Sequence, residues 1–353
     1  MKFRIFAGLA FVAIALQFPA SALADGPAKR KQKLQTNQLV AMLPVSDGVV
    51  TLHVQRFFNE ALPSVLAGNK GMLADVIAKI DAMKQKTGID IRSFEYVAAG
   101  VVVKPVNGKQ HDFEPVVIAR GNVDTDKLIA AAKTAANGKY REERFGDKVI
   151  YIFPAKEIAD VNKPANADPN AVKMVDKLMG HALSEVAVSA ISPNTIVFGK
   201  PERVRETIEA KTRVGSDLVE LLNRKEFVVA NMASKVPTGL GAFLPLEDDN
   251  LGKSLDSIRY IFGSMDVAAG TAIMNVTART EKNADAQNLF ETLDGLKAVG
   301  GMLLGGSKRP DQQLYARLIS NAKLSKIGTD VGLDLSIPQS DMDELVAILT
   351  KKK

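Results

Sequence analysis

The chain has 353 residues, 46% of them hydrophobic and 24% charged, the composition of a folded protein with a sizeable core and room for about two domains. It contains no cysteine and no tryptophan, which excludes disulfides, a thiol nucleophile, a lipid-modified cysteine anchor and tryptophan platforms for sugars or bases. The formal net charge of +6 is concentrated in Lys2 and Arg4, in Lys29, Arg30, Lys31 and Lys33, and in Lys351, Lys352 and Lys353. The body, 34–350, is left slightly acidic, so no nucleic-acid partner is expected.

Residues 1–24 have the order of a cleavable secretory signal: a basic start, an apolar run from Ile5 to Phe18, Pro19, then Ala22-Leu23-Ala24. The run is shorter than the ~20 residues that span a bilayer as a helix. A periplasmic or secreted location is therefore expected, with no transmembrane helix in the mature chain. Residues 25–40 read as a basic linker, either solubilising or touching anionic lipid headgroups.

A first unit is expected over 41–155. Leu43-Pro44 and Asp47-Gly48 are turn signals, and Val49 to Phe57 reads as a strand. Asn59 is a candidate cap for a helix carrying Leu73, Val76, Ile77 and Ile80 at helical spacing and ending at Gly88. Strands Tyr96–Val103 and Pro115–Arg120 flank Asn107-Gly108, a hairpin signal. Asp124 or Asp126 caps a helix from Lys127 to Ala136, and Asn137-Gly138 stops it. A second hairpin, Tyr140–Arg144 with Lys148–Phe153, turns at Gly146-Asp147.

Residues 156–225 read as a connection. A Pro-rich loop with a short helix at Val172–Met179 leads to strands Glu185–Ile191 and Thr195–Phe198. Pro201 opens a helix to Lys211, where its missing N–H costs nothing, and Ser216 caps Leu218–Leu222. A second unit is expected over 226–353. It contains strand Phe227–Met232, a short helix at Leu251–Ile258, and strands Tyr260–Ala268 and Ala272–Thr280. Next comes a helix capped by Asn283 or Asp285, with Leu289, Leu293, Leu296 and Val299 on one face. Strands Ala322–Ile327 and Val331–Ile337, and a helix Asp341–Leu349 capped by Ser340, complete it.

The two units read alike. Residues 91–103 stand opposite 258–270, and 116–135 opposite 272–293. Paired strands feeding an acid-capped helix imply an α+β fold of two similar units, each an antiparallel sheet with helices packed on one face. With its Leu43-Pro44 turn before the Val-rich stretch Val49 to Phe57, the chain resembles uncharacterised exported bacterial proteins that repeat an α+β unit. That resemblance implies no activity and no site residues.

Catalytic patterns are not met. His53, His111 and His181 are scattered, where a metal site needs converging ligands; packed or surface histidines are the expectation. No G-x-S-x-G elbow occurs, and Lys253 and Ser254, as helix neighbours, point apart. The glycines at 300, 301, 305 and 306, before Lys308, follow a helix instead of preceding one, so they read as a C-cap and loop and not as a phosphate cradle. Glu247-Asp248-Asp249 lacks the spacing of a calcium loop. No catalytic, cofactor or metal residue is nominated and no cofactor is expected. The leading expectation is a non-enzymatic exported binding or envelope structural protein with an unidentified envelope or extracellular partner. The alternatives are a periplasmic carrier of an apolar ligand, with the eleven methionines in its lining, and a hydrolase with a non-standard site.

Overall fold

The computed structural model describes residues 36–107, 110–155, 184–237 and 249–350. They form an α+β protein with antiparallel strand pairing throughout. Cα packing divides the chain into two units. The N-terminal unit holds Arg30–Gln55 and Val76–Val219; the C-terminal unit holds Arg56–Asp75 and Glu220–Lys353. Packing thus joins the hairpin and helix after residue 184 to the first unit, and 56–75 to the second.

In the N-terminal unit the strands are β1 (Gly48–His53), β2 (Phe94–Asn107), β3 (Gln110–Gly121), β4 (Arg141–Phe145), β5 (Lys148–Pro154), β6 (Glu185–Ser192) and β7 (Thr195–Gly199). Their order across the sheet is β1-β2-β3-β7-β6-β5-β4. The helices are α1 (Lys70–Thr87), which runs across the division at Asp75, α2 (Thr125–Ala135), α3 (Pro201–Glu209) and α4 (Ser216–Leu222), which crosses it at Val219. Asp124 caps α2 by accepting from the N–H groups of Asp126 and Lys127, and Asn137 and Gly138 leave it at positive φ. Pro201 takes the first position of α3. One core cluster joins Ile129 of α2 to Ala119 and Ile196. Neighbouring Ile118 and Ala119 are both buried, so both faces of β3 are covered. At one end of this order, β4 exposes the charged side chains of Arg141, Glu142 and Arg144.

In the C-terminal unit the strands are β8 (Ala230–Lys235), β9 (Ile258–Ala268), β10 (Thr271–Thr280), β11 (Lys323–Ile327) and β12 (Asp330–Pro338), in the order β8-β9-β10-β12-β11. The helices are α5 (Asp249–Asp256), α6 (Asn283–Gly305), α7 (Pro310–Asn321) and α8 (Gln339–Thr350). Ala286 and Leu289 of α6 pack with Ile258 and Val331 in the core. Asp341 of α8 is buried and accepts from Arg317 of α7 at 2.9 Å. At one end of this order, β11 exposes Lys323, Ser325 and Ile327. No helix among the described residues is long and apolar enough to cross a membrane.

Six sequence expectations need correction; two are the caps expected from Asn283 or Asp285 and from Ser340, which fall inside helices that begin at Asn283 and Gln339. The strand expected from Val49 to Phe57 ends at His53, and Phe57–Ala61 is a π-helical turn followed by a helical turn Leu62–Val65. Two adjacent bulky rings, Phe57 and Phe58, are T-shaped at 5.1 Å there, a local packing that strand propensity does not register. The cap of α1 is Asn69, whose side chain accepts from Met72 N–H; Asn59 sits inside the π-helical turn. Residues 227–229 precede β8, and Phe227 holds φ 61°. The glycine cluster is helical through Gly305, and a helix the sequence reading missed, α7, starts at Pro310. The expected helix at Val172–Met179 lies outside the described residues, as do residues 238–248 and 351–353.

Candidate functional site

The residues weighed for chemistry do not converge among the described residues. His53 ends β1 and sets its ring edge-on to Tyr96 at 4.9 Å. His111 stands in β3 opposite Pro105, and His181 lies outside the described residues. Ser254 is buried, with its hydroxyl 3.4 Å from Thr292 Oγ1, a helix-to-helix contact between α5 and α6. Of the acidic run, Glu247 and Asp248 lie outside the described residues, and Asp249 opens α5. No group of three or more histidine or carboxylate side chains placed to hold a metal occurs among the described residues.

What the fold does build is a set of charge clamps. In the C-terminal unit Asp330 accepts from Arg279 Nε at 2.7 Å and from Arg224 Nη1 at 2.7 Å. Both guanidinium groups lie over the Phe262 ring, Arg224 at 4.9 Å and Arg279 at 5.6 Å. Burial pushes the Asp330 carboxyl up, but the two arginines outweigh it and the group titrates below the usual carboxylate range. Arg56 bridges to Asp266 of β9 at 2.7 Å and to Glu60 within the π-helical turn at 2.8 Å, and donates to the Phe227 carbonyl. Burial raises the Asp266 carboxyl while the Arg56 charge opposes it. Phe227 is bulky and left-handed, a conformation that costs of order 1–3 kcal/mol and that this grip on its carbonyl helps hold.

In the N-terminal unit Lys200 donates to Asp112 at 3.0 Å and to Glu114 at 2.8 Å, and Lys104 bridges to Glu114 at 2.7 Å. Burial raises Glu114, yet the two ammonium groups bring it below the ordinary range. Arg205 grips Glu143 of β4 through two bonds, at 2.7 and 2.6 Å, and Arg141 pairs with Glu185 across to β6. Arg203, almost wholly buried, donates to the Val45 carbonyl and pairs with Glu206. Carboxylates held as anions against guanidinium and ammonium groups are poor proton carriers at neutral pH. These clamps tie strand to strand and helix to strand.

The remaining distinctive surface is the second half of α6. Its first half is amphipathic: Ala286 and Leu289 face the core, while Ala284, Gln287, Asn288 and Glu291 face solvent. From Gly295 to Gly306 only Lys297 is charged. Lys297 Nζ donates to the Ala322 carbonyl at 2.6 Å. Around and beyond that bond Leu296 is 50% exposed, Val299 53%, Met302 79% and Leu303 74%. The periodicity of Leu289, Leu293, Leu296 and Val299 therefore marks a core stripe only at its start. A Cβ added at Gly300 would meet Ile319 of α7 at 3.3 Å, so this glycine lets the two helices approach. Gly295, Gly301 and Gly305 face open space, where each costs a helix about 1 kcal/mol relative to alanine.

No family model matches this chain, and no curated protein matches it. Among solved structures it is similar to three crystal forms of one protein, TP0453. Forms III and I each give a TM-score of 0.40 at 11% identity, covering 88% of this chain and 97% of that one. Form IV gives 0.42 at 12% identity, covering 87% and 96%. A likeness at this level assigns neither a family nor a function.

Proposed function

We propose that the chain is an exported, non-enzymatic protein that works by binding, through the unsheltered half of α6. One observation carries this reading: Val299, Met302 and Leu303 face solvent side by side on a helix whose first half is conventionally buried. A contiguous apolar surface of this kind is a recurrent mark of an interaction site. The engagement of Asp330, Glu114 and Glu143 in arginine and lysine clamps supports a structural role for them. The signal-like order of residues 1–24 supports export to the periplasm or the medium.

The test has two arms. The purified chain, assayed on ester, phosphate and glycoside substrates, is expected to give no turnover above a heat-denatured blank. Turnover that survives repurification and co-elutes with the chain overturns the non-enzymatic reading. Mass spectrometry of cell fractions is expected to find the chain outside the cytoplasm and lacking residues 1–24. A full-length chain in the cytoplasm overturns export.

The two units also support descent from one duplicated unit. The strand order β1-β2-β3-β5-β4 that remains when the β6–β7 hairpin is set aside matches β8-β9-β10-β12-β11 position for position. Ala119-Arg120 near the end of β3 matches Ala278-Arg279 near the end of β10.

A further inference from the structure

We propose that Met302 is a redox modification site: a hydroperoxide oxidises its thioether to the sulfoxide ahead of every other methionine among the described residues, and the apolar strip of α6 turns polar. Met302 is 79% exposed, the most of those methionines. Its surroundings are open as well. The residues three and four positions away, which share its side of the helix, are Ala298, Val299, Gly305 and Gly306. None is larger than valine, and a Cβ added at Gly301, Gly305 or Gly306 would meet nothing within 4 Å. A small oxidant therefore reaches the sulfur without any movement of the fold.

The other methionines are sheltered to different degrees. Met265 and Met342 are core residues, 4% and 2% exposed. Met42, Met83, Met232 and Met274 are half-buried. Met42 is protected a second time: its sulfur accepts from Arg120 Nη2 at 3.8 Å, so the lone pair that would attack an oxidant is engaged. Met72 comes after Met302, at 38% exposed. Oxidation follows access to the sulfur, so the fold sets the order Met302, Met72, then the rest.

With hydrogen peroxide, the Met302 sulfur attacks one peroxide oxygen. A sulfur–oxygen bond forms as the oxygen–oxygen bond breaks, and sulfur gives up two electrons. The second oxygen departs as hydroxide, takes the proton from the first and leaves as water. The product carries a polar S–O group beside Val299 and Leu303. On the binding reading above, oxidation weakens whatever engages this strip, and reduction of the sulfoxide restores it. The order of oxidation does not rest on that reading.

The test treats the purified chain with hydrogen peroxide, stops the reaction with free methionine at timed points and follows oxygen uptake by mass spectrometry of tryptic peptides. Peptide 298–308 holds Met302 as its only methionine, 71–79 holds Met72 and 327–351 holds Met342. Peptide 298–308 is expected to oxidise about tenfold faster than 327–351 and about threefold faster than 71–79. In urea the three rates are expected to converge. Met302→Leu keeps the strip apolar and cannot form a sulfoxide. On a hydrophobic-interaction column the wild type is expected to elute earlier after brief oxidation and to return after treatment with methionine sulfoxide reductase, while Met302→Leu shifts less.

A Met72 or Met342 rate equal to that of Met302 in the folded chain overturns the proposal. So does a difference between them that persists in urea, which would belong to the local sequence and not to the fold. An equal column shift in the wild type and Met302→Leu overturns it too. None of these results bears on turnover, so failure here is distinguishable from failure of the non-enzymatic reading.

Discussion

The helix that follows the third strand of each sheet is handled differently in the two units. In the N-terminal unit α2 is 11 residues long and ends where its support ends, with Ile129 packed on Ala119 and Ile196. In the C-terminal unit α6 is 23 residues long. Its opening stretch does the same work, with Ala286 and Leu289 packed on Ile258 and Val331. The rest overhangs, braced by α7 through Gly300 and Ile319 and through Lys297. The shorter helix shows how much is enough to cover such a sheet. What α6 adds beyond that is not demanded by the core, and that is where its apolar side chains face water.

This contrast can be broken most directly by truncating the core contacts. Leu289→Ala is expected to destabilise the chain by about 2–5 kcal/mol, and Ile129→Ala to cost a similar amount, because both leave cavities at buried sites. Leu303→Ala should cost no more than about 0.5 kcal/mol, as an exposed substitution does. Urea denaturation measures all three. A Leu303 cost equal to that of Leu289 would mean that the overhang is part of the core after all.

A middle-sized effect should separate the two matching arginines. Arg279 grips Asp330 on β12, whereas Arg120 Nε donates to the Thr195 hydroxyl on the β6–β7 hairpin at 3.0 Å. Asp330→Asn is expected to cost about 1.5–3 kcal/mol at neutral pH, the worth of hydrogen bonds to a charged group. The Asp330 carboxyl titrates lower when folded than when unfolded. Its stabilisation is therefore complete above the unfolded carboxylate pKa and fades as pH falls through that value to the folded one. Stability measured down this acid range should slope less in Asp330→Asn than in the wild type. Arg120→Ala should leave the slope unchanged; a matching flattening there would mean that the acid response belongs to other carboxylates.

The smallest effect concerns how the two helices begin. Asp124 caps α2, but Lys282 occupies the cap of α6 and offers its backbone no side-chain acceptor. Lys282→Ser should raise stability by about 0.5–1 kcal/mol, read as a higher urea midpoint. Asp124→Ala should lower it. A Lys282→Ser variant with no gain would show that another group already satisfies the first turn of α6.

Turns made from single residues were the legible part of this fold, and caps only in part: those expected from Asn59, from Asn283 or Asp285 and from Ser340 fall inside helical segments. Asn107 ends β2 where the chain doubles back to β3, Gly146-Asp147 stands between β4 and β5, Pro201 begins α3, and Asp124 caps α2. Each acts through its own backbone preference or its own side chain. The overhang of α6 was not legible, because periodicity records which residues share a face and is silent on where the supporting sheet stops. The glycines at 300, 301 and 305 read as a helix end for the same reason: Gly300 sits against Ile319, a neighbour in space that no local rule supplies. Helix α7 did carry a signal, Pro310 at its first position with Leu314 and Leu318 one turn apart, which the glycine-rich reading of its approach obscured. At the clamps, Arg279 and Asp330 are 51 positions apart, and only strand register unites them.

Strands β4 and β11 have a consequence for crowded conditions. A stranger chain adding itself alongside β4 would meet Arg141, Glu142 and Arg144, and one adding alongside β11 would meet Lys323 and Ser325 as well as the apolar Ile327. Stripping water from those polar groups is costly, so ribbon growth from one molecule to the next is discouraged along β4 and β11.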